Sequence, residues 1–209
     1  MLTIIQAAGW PIWPLIACSI LALALVIERF VALRTPRIAP PQLLDEVLTV
    51  CAKGLPSNET VGQLAQNSLL GEVLATGLRP LQTHPTRSEA ELRSAMEGAG
   101  RTAAHRLEKS LTALATIASA APLLGLLGTV IGMIEIFGSQ SGGGAVGTGN
   151  PAQLAHGISV ALYNTAFGLI VAIPALIFWR YFRSRADAYL LTMELAAEQL
   201  VRHLLRLRK

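Results

Sequence analysis

The distribution of charged residues is the feature that most constrains how this chain can fold. No charged residue occurs before Glu28, from position 110 to 134, or from position 136 to 179. Charged residues form only 14% of the chain, whereas an average soluble domain has about 25%. Since about 20 apolar residues are enough to cross the hydrocarbon layer of a bilayer, each uncharged run can hold a membrane span.

The third run contains a glycine-rich stretch, SQSGGGAVGTGNPAQ, which is unsuited to a helix. The sequence therefore predicts an all-α membrane protein with three transmembrane helices and long helical extensions outside the membrane. The predicted segments are 1–33 for the N-terminus and first span, 34–110 for a helical region, 111–137 for the second span, 138–153 for a loop, 154–182 for the third span and 183–209 for a helical tail.

The basic residues predict the orientation of these spans. All 17 of them fall in segments that lie on one side of the membrane, and Lys and Arg mark the cytoplasmic side. The region 34–110 and the tail are therefore predicted to be cytoplasmic, with the N-terminus and the loop outside. The positive charge then reflects topology and contact with phospholipids, not nucleic-acid binding. A cleaved signal peptide is disfavoured because the basic residues follow the first apolar run.

The flanking segments predict helices that continue beyond the membrane. Ser88 and Glu91 fit a capping box at the start of a helix, and an apolar stripe then runs without a break into the second span. A similar stripe continues the third span towards position 207. These stripes pack within one chain or between copies of the chain, and we expect a mixture of the two. Residues 40–85 predict short helices broken by Pro and Gly.

Small residues form one face of the second span and one face of the third. In lipid, helices associate through close contact of small residues because no hydrophobic effect drives their pairing. Thr129 and Thr165 lie on these faces at a similar depth, where each hydroxyl either bonds to its own helix or lines a narrow hydrated pore. The residues predicted to pack the helices or form the pore wall are Pro122, Gly125, Gly128, Gly132, Gly157, Ala161, Gly168 and Ala172.

The two faces resemble the ExbB/TolQ/MotA proton-channel family, and are nearest to its ExbB and TolQ branches. The residues that carry the resemblance are LATIASAAPLLGLLGTVIGMIEIFG at 114–138 and LAHGISVALYNTAFGLIVAIPALIFWRYF at 154–182. The stretch WPLIACSILALALVIERF at 13–30 and the three-span plan extend the likeness over most of the chain. The region 40–85 contributes little to it.

The resemblance implies a homo-oligomeric, pentameric ring in the bacterial inner membrane, with a periplasmic N-terminus and loop. The second and third spans would line a pore that holds the single transmembrane helix of an ExbD-like partner carrying a pore Asp. Thr129 and Thr165 would face that Asp, and proton flow would drive work on a TonB-like or TolA-like protein. The chain would then serve as the stator wall and need no cofactor.

At two positions the roles known in the family cannot be transferred directly to this chain. Many ExbB and TolQ members have a Glu five residues before the threonine that matches Thr165, and this chain has Val160 there. A role for that Glu therefore cannot be transferred. Glu135 is the nearest carboxylate, at the outer end of its span, where it either lies at the interface for structural reasons or forms a proton entrance.

Other function classes have weaker support in the residues. GGGAVGTGN lacks the Lys that follows a phosphate-binding loop, and the four histidines lack metal-ligand spacing, so no metal site is predicted. No nucleophile and base are paired within the spans, which disfavours an intramembrane hydrolase. The protein is not expected to be an enzyme. The remaining alternative to a proton channel is a non-conducting oligomeric scaffold that stabilises a partner.

Overall fold

The computed structural model describes residues 10–83, 88–141 and 151–207, and within these ranges every regular element is a helix. The predicted all-α fold is confirmed. Three helices, α1, α6 and α7, are long and apolar enough to cross a membrane. The helices of the described ranges are α1 (Ile12–Ala32), α2 (Thr35–Ile38), α3 (Leu43–Lys53), α4 (Asn58–Asn67), α5 (Leu69–Thr83), α6 (Glu89–Ser141) and α7 (Pro151–Leu207).

Helix α1 has the length of a single membrane span. Its 21 residues correspond to about 30 Å at 1.5 Å per residue, which matches the hydrocarbon thickness of a bilayer. The chain then leaves the helix through Leu33 and Arg34, and Pro36 lies at the start of α2. Proline suits that position because the first helical N–H groups have no intrahelical acceptor.

Helix α6 begins at the predicted capping box. The backbone N–H of Glu91 donates to Ser88 Oγ (3.3 Å), and the backbone N–H of Ser88 donates to Glu91 Oε2 (3.2 Å). The helix then continues for 53 residues through Pro122, so the predicted unbroken helix is confirmed. Helix α7 is similarly continuous over 57 residues through Pro174. Both helices extend about one turn into the predicted loop 138–153, and Pro151 at the first position of α7 favours that earlier start.

The region 40–85 forms the short helices that the sequence predicts. Gly54, with a φ of 143°, ends α3 in a conformation that other residues rarely adopt. The side chain of Ser57 then caps α4 by accepting from the backbone N–H of Thr60. Pro80 lies inside α5, which continues through it to Thr83. The stretch THPTRSEAE at 83–91 is predicted as a loop, and its positions 84–87 lie outside the described residues.

The chain divides into two compact units, and α6 and α7 contribute residues to both. We call the described residues of 1–28 and 112–180 the span unit, and those of 29–111 and 181–209 the extension unit. In the span unit, Leu15, Ala121 and Ala172 form the centre of the buried core. The extension unit has a core of larger side chains, which includes Leu74, Leu78, Leu92, Leu111, Phe182 and Leu200.

The two predicted apolar stripes are mostly buried within the chain. Leu92, Met96 and Leu107 of α6 are buried, as are Met193 and Val201 of α7. The within-chain alternative therefore accounts for these stripes. Large apolar side chains that remain exposed in the extension unit lie outside these stripes and include Val50, Leu55, Leu191, Leu195 and Leu207.

Candidate pore-lining site

Helices α6 and α7 pack backbone to backbone in the span unit at Gly125 and Gly168. A Cβ atom on Gly125 would lie 2.7 Å from the carbonyl oxygen of Asn164 and 3.0 Å from Thr165 Cα. A Cβ atom on Gly168 would lie 2.7 Å from the carbonyl oxygen of Ala121. Because the obstructing atoms are backbone, they cannot move aside by a change of rotamer. Both positions therefore require glycine at this helix separation.

Gly128 makes room for a polar side chain in the same interface. A Cβ atom there would lie 2.7 Å from Asn164 Cβ and 2.9 Å from its Nδ2. Asn164 is only 2% exposed, so its amide lies inside the helix pair instead of in lipid. Polar residues buried between membrane helices favour one specific pairing.

Towards the loop, the contacts between α6 and α7 involve small side chains and one isoleucine. A Cβ atom on Gly132 would lie 3.2 Å from Ala161 Cβ, and one on Gly157 would lie 2.6 Å from Ile136 Cδ1. Ala161 is buried, whereas Gly157 is half-buried. The glycines thus lie along the contact line in the part of the helix pair nearest to the predicted loop 138–153.

The remaining two predicted packing residues lie on the same pair of helices. Ala172 is buried in the core of the span unit. Pro122 is half-buried inside α6, one residue from the buried Ala121. The helix continues through this proline, as membrane helices allow when neighbouring groups satisfy the freed carbonyl.

The antiparallel register brings the two threonines to one level. Gly125 lies beside Gly168, Gly128 beside Asn164 and Gly132 beside Ala161. Continuing this register places Thr129 opposite the step from Asn164 to Thr165. Thr129 and Thr165 are both half-buried, so the packed helix pair covers part of each side chain.

The Thr129 hydroxyl has a partner in its own helix. Its Oγ1 donates to the carbonyl oxygen of Leu126 at 2.6 Å, which is the local bond that a threonine in a membrane helix commonly makes. A hydroxyl oxygen has two acceptor lone pairs in addition to its proton. Thr129 can therefore still accept a hydrogen bond from outside the helix.

An apolar groove on α6 begins at Thr129. Its cavity volume is about 590 Å³, and Thr129 carries the only side-chain hydroxyl among the lining residues. The residues along it, Thr129, Met133 and Phe137, recur at four-residue steps, which place them on one helix face. That spacing is visible in the sequence, but Met133 and Phe137 are not small residues and so are not part of the predicted packing face. Glu135 is exposed and does not line this groove.

Charged residues of the extension unit pair differently from the sequence expectation. From their positions in the sequence, Arg101, Arg106 and Lys109 either contact anionic lipid or pair with Glu97 and Glu108. The Nη1 of Arg106 instead lies 2.7 Å from Glu72 Oε2. Glu108 instead pairs with Arg183, at 2.9 Å. Both ion pairs join residues that are far apart in the chain, so the spacing of charges in the sequence does not predict them.

The histidines fall into no common site within the described residues. No group of three His, Cys, Asp or Glu side chains that could hold a metal ion occurs there. His105 is exposed and His203 is half-buried on another helix. His84 and the side chain of His156 lie outside the part of the chain that the structure describes.

Comparison with known proteins places this chain in a family. The family model described as the MotA/TolQ/ExbB proton channel family matches residues 65–195. An ExbB-like biopolymer transport protein 3 from Synechocystis sp. is 34% identical over 196 residues, which cover 93% of this chain and 89% of the relative.

Two further relatives come from the ExbB and TolQ branches. Biopolymer transport protein exbB1 of Vibrio cholerae is 31% identical over 172 residues, covering 81% of this chain and 73% of the relative. The Tol-Pal system protein TolQ of Pseudomonas aeruginosa is 43% identical over 82 residues, covering 39% and 34%. The chain therefore belongs to the MotA/TolQ/ExbB proton channel family.

Proposed function

We propose that this chain forms the stator wall of a proton channel in the bacterial inner membrane. With an ExbD-like partner, it would convert proton motive force into mechanical work on a TonB-like or TolA-like protein and so energise transport at the outer membrane. Membership in a proton channel family and three helices long enough to span a membrane support this proposal.

The observation that carries the proposal is the common level of Thr129 and Thr165. Both side chains are half-buried beside a glycine-lined interface, and no charged side chain occurs from Ile136 to Trp179. Uncharged hydroxyl groups in a pore wall can accept a hydrogen bond from a protonated carboxyl group, and breaking that bond costs little free energy. The titrating carboxylate would then belong to the partner, as the pore Asp of an ExbD-like helix.

The remaining surface of the span unit suits assembly into a ring. Large apolar side chains remain exposed on both long helices, including Leu123, Val130, Ile134, Leu162, Ile170 and Ile173. Some of these would face lipid and others the neighbouring copies of a homo-oligomer, for which we propose a pentamer.

The direction of work follows from the proposed topology. The basic residues favour a cytoplasmic location for 34–110 and the tail, with the N-terminus and loop 138–153 in the periplasm. Protons would pass from the periplasm along the partner's carboxylate, and ring and partner would turn relative to each other. Glu135, exposed near the end of α6, is our candidate for a proton entrance.

A non-conducting scaffold is the second candidate function. The bond from Thr129 to the Leu126 carbonyl and the close glycine contacts are both explained by helix packing alone. On this alternative the chain would assemble and stabilise its partner, and the hydroxyl groups would have no role in ion movement.

Proton flux through the reconstituted complex distinguishes the two functions. We expect vesicles that contain the chain and its ExbD-like partner to dissipate an imposed pH gradient, measured with an enclosed pH-sensitive dye. Because a hydrogen bond contributes about 1 kcal/mol, the double variant Thr129→Val and Thr165→Val should lose about tenfold or more of the rate when both wall contacts are removed. The same change at both positions to Ser keeps the hydroxyls and should preserve most of the flux.

Thr116→Val is the matched control for this experiment. Thr116 lies on the same helix and its hydroxyl also donates to a carbonyl of its own helix, that of Thr112, at 3.0 Å. Its loss should leave flux unchanged. Unchanged flux in the double valine variant would remove the pore role of the two threonines, and normal assembly without flux under any condition would favour the scaffold.

A further inference from the structure

A small pocket in the extension unit lies where α1 ends and meets the middle of α7. Its volume is about 250 Å³, and its lining includes the side chains of Phe30, Arg34, Thr35, Tyr181, Phe182 and Arg185. The pocket lining therefore combines cationic and aromatic side chains. No acidic residue lines it.

Arg185 is held in place at this pocket by Tyr189. The Nη2 of Arg185 donates to the Tyr189 hydroxyl at 2.9 Å, and its guanidinium carbon lies 5.4 Å from the centre of the tyrosine ring. The Tyr189 hydroxyl donates to the carbonyl oxygen of Leu33 at 3.0 Å. Since the single phenolic proton goes to Leu33, the contact of 2.9 Å with Thr35 Oγ1 has Thr35 as donor. Arg185 is thus fixed next to the backbone that carries Arg34.

The two arginines of the pocket differ from Arg183 and Arg29, which lie near them in the chain. Arg183 is neutralised by Glu108 at 2.9 Å and by Asp187 at 3.3 Å. Arg29 is buried and donates to the carbonyl oxygen of Leu107. Among the described residues, no carboxylate forms an ion pair with Arg34 or Arg185. Two guanidinium groups without counter-charge suit a phosphate, whose oxygens accept their paired donors.

The aromatic side of the pocket indicates where such a phosphate comes from. The ring of Phe30 lies 5.0 Å from that of Phe182 and 6.2 Å from that of Tyr181, measured between ring centres. Phe30 and Tyr181 are each 48% exposed. Exposed aromatic rings at the end of a membrane span are typical of the headgroup level of a bilayer. Free phosphate would gain nothing from these rings, whereas the carbon atoms of a lipid would pack on them.

We propose that this pocket binds an anionic phospholipid, with the lipid phosphate on Arg34 and Arg185 and the glycerol and upper acyl carbons on Phe30 and Tyr181. The lipid would belong to the leaflet that faces region 34–110. A zwitterionic lipid fits less well because its ammonium group would approach two uncompensated arginines. The proposal is independent of proton conduction, since a scaffold could bind the same lipid.

Native mass spectrometry of the detergent-extracted full chain tests this site, with phosphatidylglycerol and phosphatidylcholine as probes. We expect phosphatidylglycerol to remain bound preferentially. The double variant Arg34→Gln and Arg185→Gln should lower its retention by about tenfold or more, since two charge-assisted contacts are lost. The corresponding Lys variant keeps both charges but not the paired donors, and should retain an intermediate amount.

The matched control removes the same charge elsewhere on α7. Arg202→Gln with Arg206→Gln eliminates two exposed arginines about 30 Å along the helix from Arg185, and should leave lipid retention unchanged. Equal loss in this control would mean that net charge, and not the pocket, binds the lipid. If millimolar inorganic phosphate displaced the bound lipid, whichever of the two lipids is present, the pocket would be assigned to free phosphate.

The single variant Arg34→Gln distinguishes a loss of lipid binding from a folding defect. Arg34 is exposed and its side chain caps no helix, so Arg34→Gln should preserve the circular dichroism and oligomer size of the parent. We expect this variant alone to lower phosphatidylglycerol retention several-fold. Unchanged retention in a correctly folded Arg34→Gln protein would overturn the proposal.

Discussion

Gly125 and Gly138 lie in the same helix, but a methyl group at each would meet very different surroundings. At Gly125 it would press on the backbone of α7, 2.7 Å from the Asn164 carbonyl oxygen, whereas at Gly138 nothing lies within 4 Å. Alanine favours a helix over glycine by about 1 kcal/mol, and overpacking costs about 1–3 kcal/mol. Steric overlap should therefore outweigh propensity at the first position only.

We predict that Gly125→Ala lowers the thermal stability of the detergent-extracted protein, while Gly138→Ala leaves it unchanged or raises it slightly. Size-exclusion chromatography after stepwise heating measures the fraction that remains folded. Gly128→Ala should also lower the stability, because the nearest atom that its methyl group meets is Asn164 Cβ at 2.7 Å, and a Cβ atom does not move when the side chain changes its rotamer. Equal stability of the Gly125 and Gly138 variants would contradict the backbone contact.

The sequence predicts the role of these glycines better than it predicts their partners. A small-residue face is visible from spacing alone, because three- and four-residue steps fall on one side of a helix. The pairing of Gly128 with Asn164 is not visible, since it depends on the register between two helices. A shift of α7 by one residue along α6 would place a different side chain opposite Gly128.

At the level of the helices, the start of α6 is the feature that local sequence defines most sharply. The two bonds between Ser88 and Glu91 involve residues only three apart, and both side chains are exposed. We predict that Ser88→Ala destabilises the first turn by about 1 kcal/mol, which is roughly a fivefold change in an opening equilibrium. Amide hydrogen exchange in the first turn should accelerate by that factor, with no change in the span unit.

Ser88→Asp is the control for the helix start, because aspartate also accepts the N-terminal backbone bonds. Its exchange rates in the first turn of α6 should stay close to those of the parent. Faster exchange in both variants would show that the serine hydroxyl itself, not an accepting oxygen, stabilises this helix end.

Helices that depend on distant contacts were harder to predict than those with local signals. Proline is unfavourable inside a helix, yet α5 continues through Pro80 to Thr83, and its Leu74 and Leu78 are fully buried in the extension unit. Burial of this face can offset the loss of one backbone bond at proline. The pairing of Arg106 with Glu72 is likewise set by the packing of α5 and α6, which no property of either residue reveals.

For the whole molecule, the charge distribution is more informative than any motif. Three uncharged runs predict the three helices that are long enough to cross a membrane, because charged side chains are costly in the bilayer interior. The same charges predict orientation through the 17 basic residues. The assembly of several copies depends on surfaces instead, and exposed apolar side chains in the span unit do not by themselves distinguish lipid from protein neighbours.

The topology gives the last prediction, in which single cysteines report the two sides of the membrane. In a Cys18→Ala background, Thr148→Cys in the predicted loop 138–153 should react with a membrane-impermeant maleimide in intact cells. Leu55→Cys, at an exposed position of the region 34–110, should react only after the membrane is opened.

The native Cys51 should contribute little signal, because it is 4% exposed and burial raises its pKa. A raised pKa leaves less of the reactive thiolate at neutral pH. The Cys18→Ala parent measures that background, and labelling of Leu55→Cys in intact cells would reverse the proposed orientation and, with it, the proposed direction of proton flow.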